Sequence, residues 1–354
     1  MKILVVGPSW VGDAVMAQSL YKLILQETKN KIDVLAPQWT LGVLDRMKEV
    51  ETSLCSPFDH GEFKFCKRVE FGRSMESRSY DQAIILTNSL KSALIPYFSK
   101  IPKRTGWLGE MRYGLINDIR KFDRTKDTLM IEKFAVLADD ISNKNIKIPW
   151  PSLSINPDNL LRLSNNFSFD IERKTLAICP GAEFGPSKRW PTNYFAEVVL
   201  NYLSKDWQVF ILGSSKDVKI SSEIKEKIPA QYHQNLFNFT GSTKITDAID
   251  ILSNSNLVLT NDSGLMHIAA AVDSKLLALY GPTSPEFTPP LSNKAKIIKK
   301  VSGMDKTRRG SVAGGYHPSL LMIKPDEVME NLDSLEKTSS FSEFLLIKEN
   351  SYVL

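Results

Sequence analysis

Three turn motifs carry the residues able to do chemistry. The first, GPSWVGDAVM at residues 7–16, closes a strand-like apolar run and opens a helical one. A strand ending in a glycine turn before a helix commonly brings backbone N–H groups to a phosphate. This one lacks the phosphate-binding details. Asp13 stands where a Walker-type loop has its lysine, and Gly7 and Gly12 are five apart rather than in GxGxxG spacing. An aspartate at a helix mouth repels a phosphate and suits the acceptance of a proton or a hydroxyl hydrogen bond. A cap that stabilises the helix dipole is the other reading of Asp13, and the motif alone leaves both open.

The second motif, CPGAEFGPSKRWP at residues 179–191, also lies between a strand and a helix. Gly181 and Gly185 allow close backbone approach, and Lys188 with Arg189 brings charge that can neutralise a departing diphosphate. An ordinary cationic surface loop is the weaker alternative. The third and sharpest is LTNDSGLMHIAAA at residues 259–271. Its turn, Asn261 to Gly264, should aim the N–H groups of Ser263, Gly264 and Leu265 at an anion. Asp262 is placed to bond sugar hydroxyls. His267 can reach a phosphate, although a lone histidine more often has a packing role. The turn YGPTSP, from Tyr280 to Pro285, should line the same place.

Two further signals are weaker. Asp217, in LGSSKD after another strand, suits ribose hydroxyls or a helix cap equally. Lys91, Arg104, Trp107 and Arg112, in KSAL and PKRTGWLGEMRYG, are the best-placed contacts for an anionic acceptor. Residues 60–126 hold fourteen Lys/Arg against seven Asp/Glu, a balance that fits an acidic partner or simply a solvated face.

The elements that must position these residues alternate. Lys2–Val6, Ile32–Leu35 and Gln82–Leu86 read as buried strands, and Ala14 to Glu27 as a helix with Val15, Leu20, Leu23 and Ile24 on one stripe. Asn88-Ser89 is a plausible cap for the helix after the third strand. A proline-rich stretch from Ile148 to Pro157 reads as a linker. The alternation then restarts, with strands at Thr175–Cys179, Gln208–Leu212, Leu257–Thr260 and Lys275–Tyr280 and helices at Asn193–Tyr202 and Leu265–Ala271. Such alternation implies an α/β fold with two parallel sheets, each presenting strand C-termini to a cleft where ligands bind. The expected domains are residues 1–160 for the acceptor and 161–335 for the donor, with a tail at 336–354 expected to pack as a helix on the N-terminal domain.

Composition is that of a globular protein, with 42% hydrophobic and 24% charged residues in 354. No apolar run approaches the roughly 18 residues needed to span a bilayer. The short apolar start MKILVV runs straight into a glycine turn, unlike a signal peptide, so a cytoplasmic location is expected. Cys55, Cys66 and Cys179 form no CxxC pair and read as free thiols. His60, His233, His267 and His317 are widely separated, so no metal site and no cofactor are expected.

At GPSWVGD, PGAEFGPSKRWP and NDSGLMH, in that order, the chain resembles the ADP-heptose:lipopolysaccharide heptosyltransferases. The likeness covers nearly all of residues 1–330, through NSLKSAL, RTGWLGEMRYGLIND, YGPTSPEFTPP and GGYHPSL. It implies a GT-B fold, two Rossmann-like domains facing each other across a cleft, and an inverting single displacement without metal. Carried over by position, it makes Asp13 the catalytic base and Lys188 a donor contact near the phosphates that stabilises the departing ADP. Asp262, Ser263 and Gly264 become the turn that holds heptose and diphosphate. Ser263 and Met266 replace the threonine and serine of the family branch that acts on Kdo, which tilts the expected acceptor to the first heptose of the inner core. The implied partners are ADP-heptose, an inner-core lipopolysaccharide acceptor and, peripherally, the cytoplasmic face of the inner membrane, with no nucleic acid. Other classes remain to be separated: a sugar-nucleotide epimerase on the same fold, a non-catalytic nucleotide-sugar sensor, or a dinucleotide-dependent oxidoreductase, which the missing GxGxxG disfavours.

Overall fold

Short apolar runs bounded by turns form the central strands, and longer mixed runs form the helices that cover them. The computed structural model describes residues 1–59, 61–121, 129–138, 147–305 and 307–338. His60 and the tail beyond Thr338 lie outside the described residues. Two compact units divide after Pro151.

The first unit contains β1 (Ile3–Val6), α1 (Val11–Thr28), β2 (Ile32–Ala36), α2 (Gln38–Leu44), β3 (Val50–Cys55) and α3 (Phe65–Ser74). It continues with β4 (Gln82–Ile85), α4 (Leu90–Phe98), β5 (Lys103–Trp107), β6 (Asp118–Arg120) and α5 (Met130–Ala135). All its strand pairs are parallel, in the order β3-β2-β1-β4-β5-β6. Every residue of β1, β2 and β4 is buried, as expected of parallel strands covered on both faces. The helix expected from Ala14 begins at Val11, which puts Asp13 inside its first turn.

The second unit contains α6 (Pro157–Phe167), β7 (Thr175–Cys179), α7 (Thr192–Ser204), β8 (Gln208–Ile211), α8 (Val218–Lys225) and β9 (Leu236–Asn238). After these come α9 (Ile245–Asn254), β10 (Leu257–Asn261), α10 (Gly264–Ala271), β11 (Leu276–Tyr280), β12 (Ala295–Lys299), α11 (Pro318–Leu321) and α12 (Pro325–Lys337). Its sheet, β9-β8-β7-β10-β11-β12, repeats the order of the first. In both units the strand order reverses beside the first strand, so the switch points fall at β1/β4 and β7/β10. The second core gathers Leu176, Ile178, Val209, Ile211, Leu257 and Leu259 under Trp190, Phe195 and Tyr202. The unit boundary lies earlier than the expected residue 160. Asn156 N–H and Asn159 Nδ2 each donate to the Asp250 carboxylate at 2.7 Å, which fastens α6 to α9. The three cysteines are free thiols, with Cys179 buried at the end of β7.

Candidate active site

The second unit builds its site where β7, β10 and β11 end. Asn261, the last residue of β10, is fully buried. Its Nδ2 donates to the Pro180 carbonyl at 2.7 Å, and its Oδ1 accepts from Trp190 N–H at 3.0 Å. One amide thus clamps the loop after β7 at both ends. Asp262 follows and is itself buried. Its Oδ2 accepts from Lys188 Nζ and from Thr283 Oγ1, each at 2.6 Å. The side chains of Lys188 and Asp262 are 17% and 7% exposed, so this is a largely desolvated ion pair.

The loop geometry that delivers Lys188 depends on glycine. Gly185 has φ 144°, and a Cβ there would stand 2.4 Å from the Arg308 carbonyl oxygen. Ser187 N–H donates to that same oxygen at 3.3 Å, which ties Pro186–Lys188, a single 3-10 turn, to the loop that carries Arg308. The Phe184 ring lies beneath Lys188 Nζ, 5.2 Å from its centroid.

Ser263 holds the N-cap position of α10 without a side-chain cap bond, and Gly264 and Leu265 form its first turn, whose N–H groups have no helical carbonyl to bond. Those donors and the Lys188 ammonium make one cationic corner beside the Asp262 carboxylate. His267 is buried in the next part of the helix, and burial, reinforced by the Lys188 charge and opposed by Asp262, lowers its pKa to about 4. The imidazole is therefore neutral at physiological pH and adds no charge.

Asp217 sits beside this corner with a different task. Its Oδ2 accepts from Ser214 N–H at 3.0 Å and from Ser214 Oγ at 2.8 Å, which closes the 3-10 turn before α8. Gly181 packs against that carboxyl group: a Cβ there would lie 2.4 Å from Asp217 Cγ.

In the first unit, Asp13 stands half-buried in the first turn of α1, where the helix dipole favours its negative charge. Trp10 occupies the N-cap position without a side-chain cap bond. The turn that leads there is packed tightly on β2: Gly7 N–H donates to the Leu35 carbonyl at 2.9 Å, and a Cβ on Gly7 would meet Val34 Cγ1 at 3.3 Å.

The expected acceptor cations need correction. Arg112 is fully buried. Its guanidinium donates to the carbonyls of Thr87, Ser89 and Trp107 and to Asn88 Oδ1, bracing the β4–α4 turn from within. Burial lowers its pKa to about 10, which leaves it charged at neutral pH. Arg104 donates to the carbonyls of Ile101 and Leu115, with its guanidinium over the Tyr97 ring. Trp107 is buried at the end of β5 and packs near Phe134. These three residues act as struts rather than as a solvent-facing patch. Lys91 is half-buried on the first turn of α4.

Sequence reasoning gave no role to Asn261, Thr283 or Glu110. Glu110 Oε2 accepts Leu90 N–H at 2.6 Å, so the chain docks its own carboxylate on the N-terminus of α4. The YGPTSP turn was expected near the site, and that was the available signal for Thr283. Among the described residues no group of three or more His, Cys, Asp or Glu side chains converges as metal ligands.

The sequence profile of glycosyltransferase family 9 (heptosyltransferase) matches residues 68–317. The chain is 44% identical over 342 residues to lipopolysaccharide heptosyltransferase 2 of Salmonella typhimurium, covering 95% of this chain and 98% of that one. It is 43% identical to lipooligosaccharide heptosyltransferase 2 of Haemophilus influenzae, covering 95% and 99%. Among solved structures, ADP-heptose LPS heptosyltransferase II of E. coli superposes with a TM-score of 0.86 at 41% identity, covering 95% of this chain and 98% of that one.

Proposed function

Since this chain belongs to glycosyltransferase family 9, the heptosyltransferases, we propose that it moves L-glycero-D-manno-heptose from ADP-heptose onto the first heptose of the lipopolysaccharide inner core. The observation that carries the donor side is the Lys188–Asp262–Thr283 cluster at the N-terminus of α10. A diphosphate needs cations and N–H donors, and a sugar needs a fixed acceptor for its hydroxyls. Both are supplied by buried or half-buried groups that are held before the ligand arrives. Lys188 has three N–H donors, so binding a phosphate oxygen does not require it to abandon Asp262. The second oxygen of Asp262 then serves a heptose hydroxyl.

In the reaction, Asp13 takes the proton from the acceptor hydroxyl as its oxygen attacks the anomeric carbon. The bond from that carbon to the diphosphate oxygen breaks, and ADP leaves with charge stabilised by Lys188 and the first turn of α10. Attack from the face opposite the leaving group inverts the anomeric centre. No helix among the described residues is long and apolar enough to cross a membrane. A lipid-anchored acceptor would bring the enzyme peripherally to the cytoplasmic face of the inner membrane.

The test is ADP release from ADP-heptose with an acyl-free heptosyl-Kdo saccharide as acceptor. Asp13→Asn should keep donor affinity and lose about two orders of magnitude or more in kcat. Near-normal kcat in Asp13→Asn would reduce Asp13 to a helix-dipole residue.

A further inference from the structure

With Arg104 and Arg112 absorbed into the first unit as struts, the unit still needs a surface that recognises a sugar. Three of the six tryptophans, Trp107, Trp190 and Trp207, are buried. Trp10 and Trp39 are not: they are 43% and 44% exposed, and they follow the C-terminal ends of the adjacent strands β1 and β2. That is the edge of a parallel sheet at which ligands bind.

Helix capping does not explain the choice of Trp10. The N-cap position favours Ser, Thr, Asp or Asn, yet it holds Trp10, whose side chain caps nothing. Trp39 lies in the first turn of α2, and its Nε1 donates to the Ser9 carbonyl at 2.7 Å. This bond fixes the indole beside the peptide that leads into Trp10 and satisfies its polar atom. Pro8 and Pro37 stiffen the two approaches. Large, rigid aromatic surface left in water next to a polar turn is a recognition feature rather than a packing one. Asp13 is three residues beyond Trp10, in the same helical turn.

We propose that Trp10 and Trp39 form an aromatic platform for a pyranose ring of the acceptor saccharide, whose apolar C–H face lies on the indoles while its hydroxyl is offered to Asp13. The inference rests on the reading of Asp13 as the base. It places acceptor recognition on apolar contact at this turn and leaves Arg104, Trp107 and Arg112 out of it.

The experiment uses the full chain, ADP-heptose and the acyl-free heptosyl-Kdo saccharide. Trp10→Leu and Trp39→Leu should each raise the acceptor KM about tenfold and leave the ADP-heptose KM within about twofold, while Trp10→Phe and Trp39→Phe change the acceptor KM by about threefold or less. The Leu effect should persist at high salt, where a charge contact would fade. An unchanged acceptor KM, a parallel rise in donor KM, or Phe as damaging as Leu overturns the platform. A second readout covers Leu variants that fail to fold. Titrating the saccharide without donor should quench tryptophan fluorescence in the wild type and not in the Trp10→Phe/Trp39→Phe double variant; equal quenching in both overturns the platform. Absence of ADP release by the wild type would instead defeat the proposed reaction, and the titration would still decide whether a sugar ring lies on these residues.

Discussion

His267 gives the donor corner a stability signature that does not depend on knowing the substrate. Burial holds its pKa near 4 in the folded protein, against an ordinary value of 6.5. Because the folded value is the lower one, the unfolded chain binds more proton anywhere between the two. Stability from the neutral imidazole is therefore complete above about pH 6.5 and is lost as pH falls towards 4. Integrating over that window, acidification from about pH 7.5 to about pH 4.5 should remove roughly 2.5 kcal/mol through this one side chain. Carboxylates titrate in the same range, so the measurement is a difference. Urea unfolding of the wild type and of His267→Gln, followed by the fluorescence of the buried Trp190 and Trp207, gives stability at each pH. The His267→Gln curve should be flatter than the wild type by about that amount, whatever the offset between them at neutral pH. Parallel curves across the window would show that His267 is not held neutral by burial. The imidazole would then count as a titrating cation beside Lys188 in the donor corner.

Two further substitutions test the scaffolding. Arg112→Leu takes the guanidinium from the carbonyls of Thr87, Ser89 and Trp107; Ser92 still donates to the first two, so the loss falls mainly on the buried Trp107 carbonyl and unfolding of the first unit should become easier by about 1–3 kcal/mol. Arg112→Lys should rescue little, since an ammonium cannot span that fork of acceptors. Gly181→Ala forces the Asp217 carboxyl group from its position 2.4 Å from the new Cβ, and should destabilise the second unit by about 1–3 kcal/mol. Adding Asp217→Ala to Gly181→Ala should recover part of that loss in the same urea titration; no recovery would mean that the two residues do not share the space.

The central strands and the turns after them were legible because buried parallel strands read as uninterrupted apolar runs. ILVV, TLAIC and LVLTN needed no partner to be recognised. Strands towards the sheet edges were not legible. Lys103–Trp107 begins with two cations, and Ala295–Lys299 has a lysine at each end of its apolar pair. The same cations led to the misplacement of Arg104 and Arg112. Residue type cannot distinguish a guanidinium in water from one that satisfies four acceptors of the fold, because those acceptors come from Thr87 to Trp107 and only folding gathers them. Thr283 and Asn261 were hidden for a related reason. Both act through side-chain bonds to residues twenty-one or more positions away in the chain. Trp39 carries no periodic signal at all, and its interest arises from exposure and from one bond to Ser9.

The two sheets share one strand order, and the comparison of their switch points bears on which unit takes the diphosphate. Each has a helix starting just after its fourth strand, α4 after β4 and α10 after β10. Both helix N-termini are equivalent in principle, since unsatisfied N–H groups attract an anion wherever a helix begins. In the first unit that attraction is spent internally, on Glu110 bonded to Leu90 N–H at 2.6 Å, with the buried Arg112 bracing the turn behind it. A phosphate arriving there would have to displace a carboxylate of the protein. In the second unit the nearest carboxylate, Asp262, points its Oδ2 to Lys188 and Thr283 instead of to the helix. Its charge is matched by a neighbouring cation, so it does not repel an anion on α10 as an unpaired carboxylate would. The same fold element is thus closed to phosphate in one unit and kept available in the other. That asymmetry, set by one glutamate and one lysine, supports assigning the nucleotide-sugar donor to the second unit and the uncharged sugar face of the acceptor to the tryptophan-flanked turn of the first.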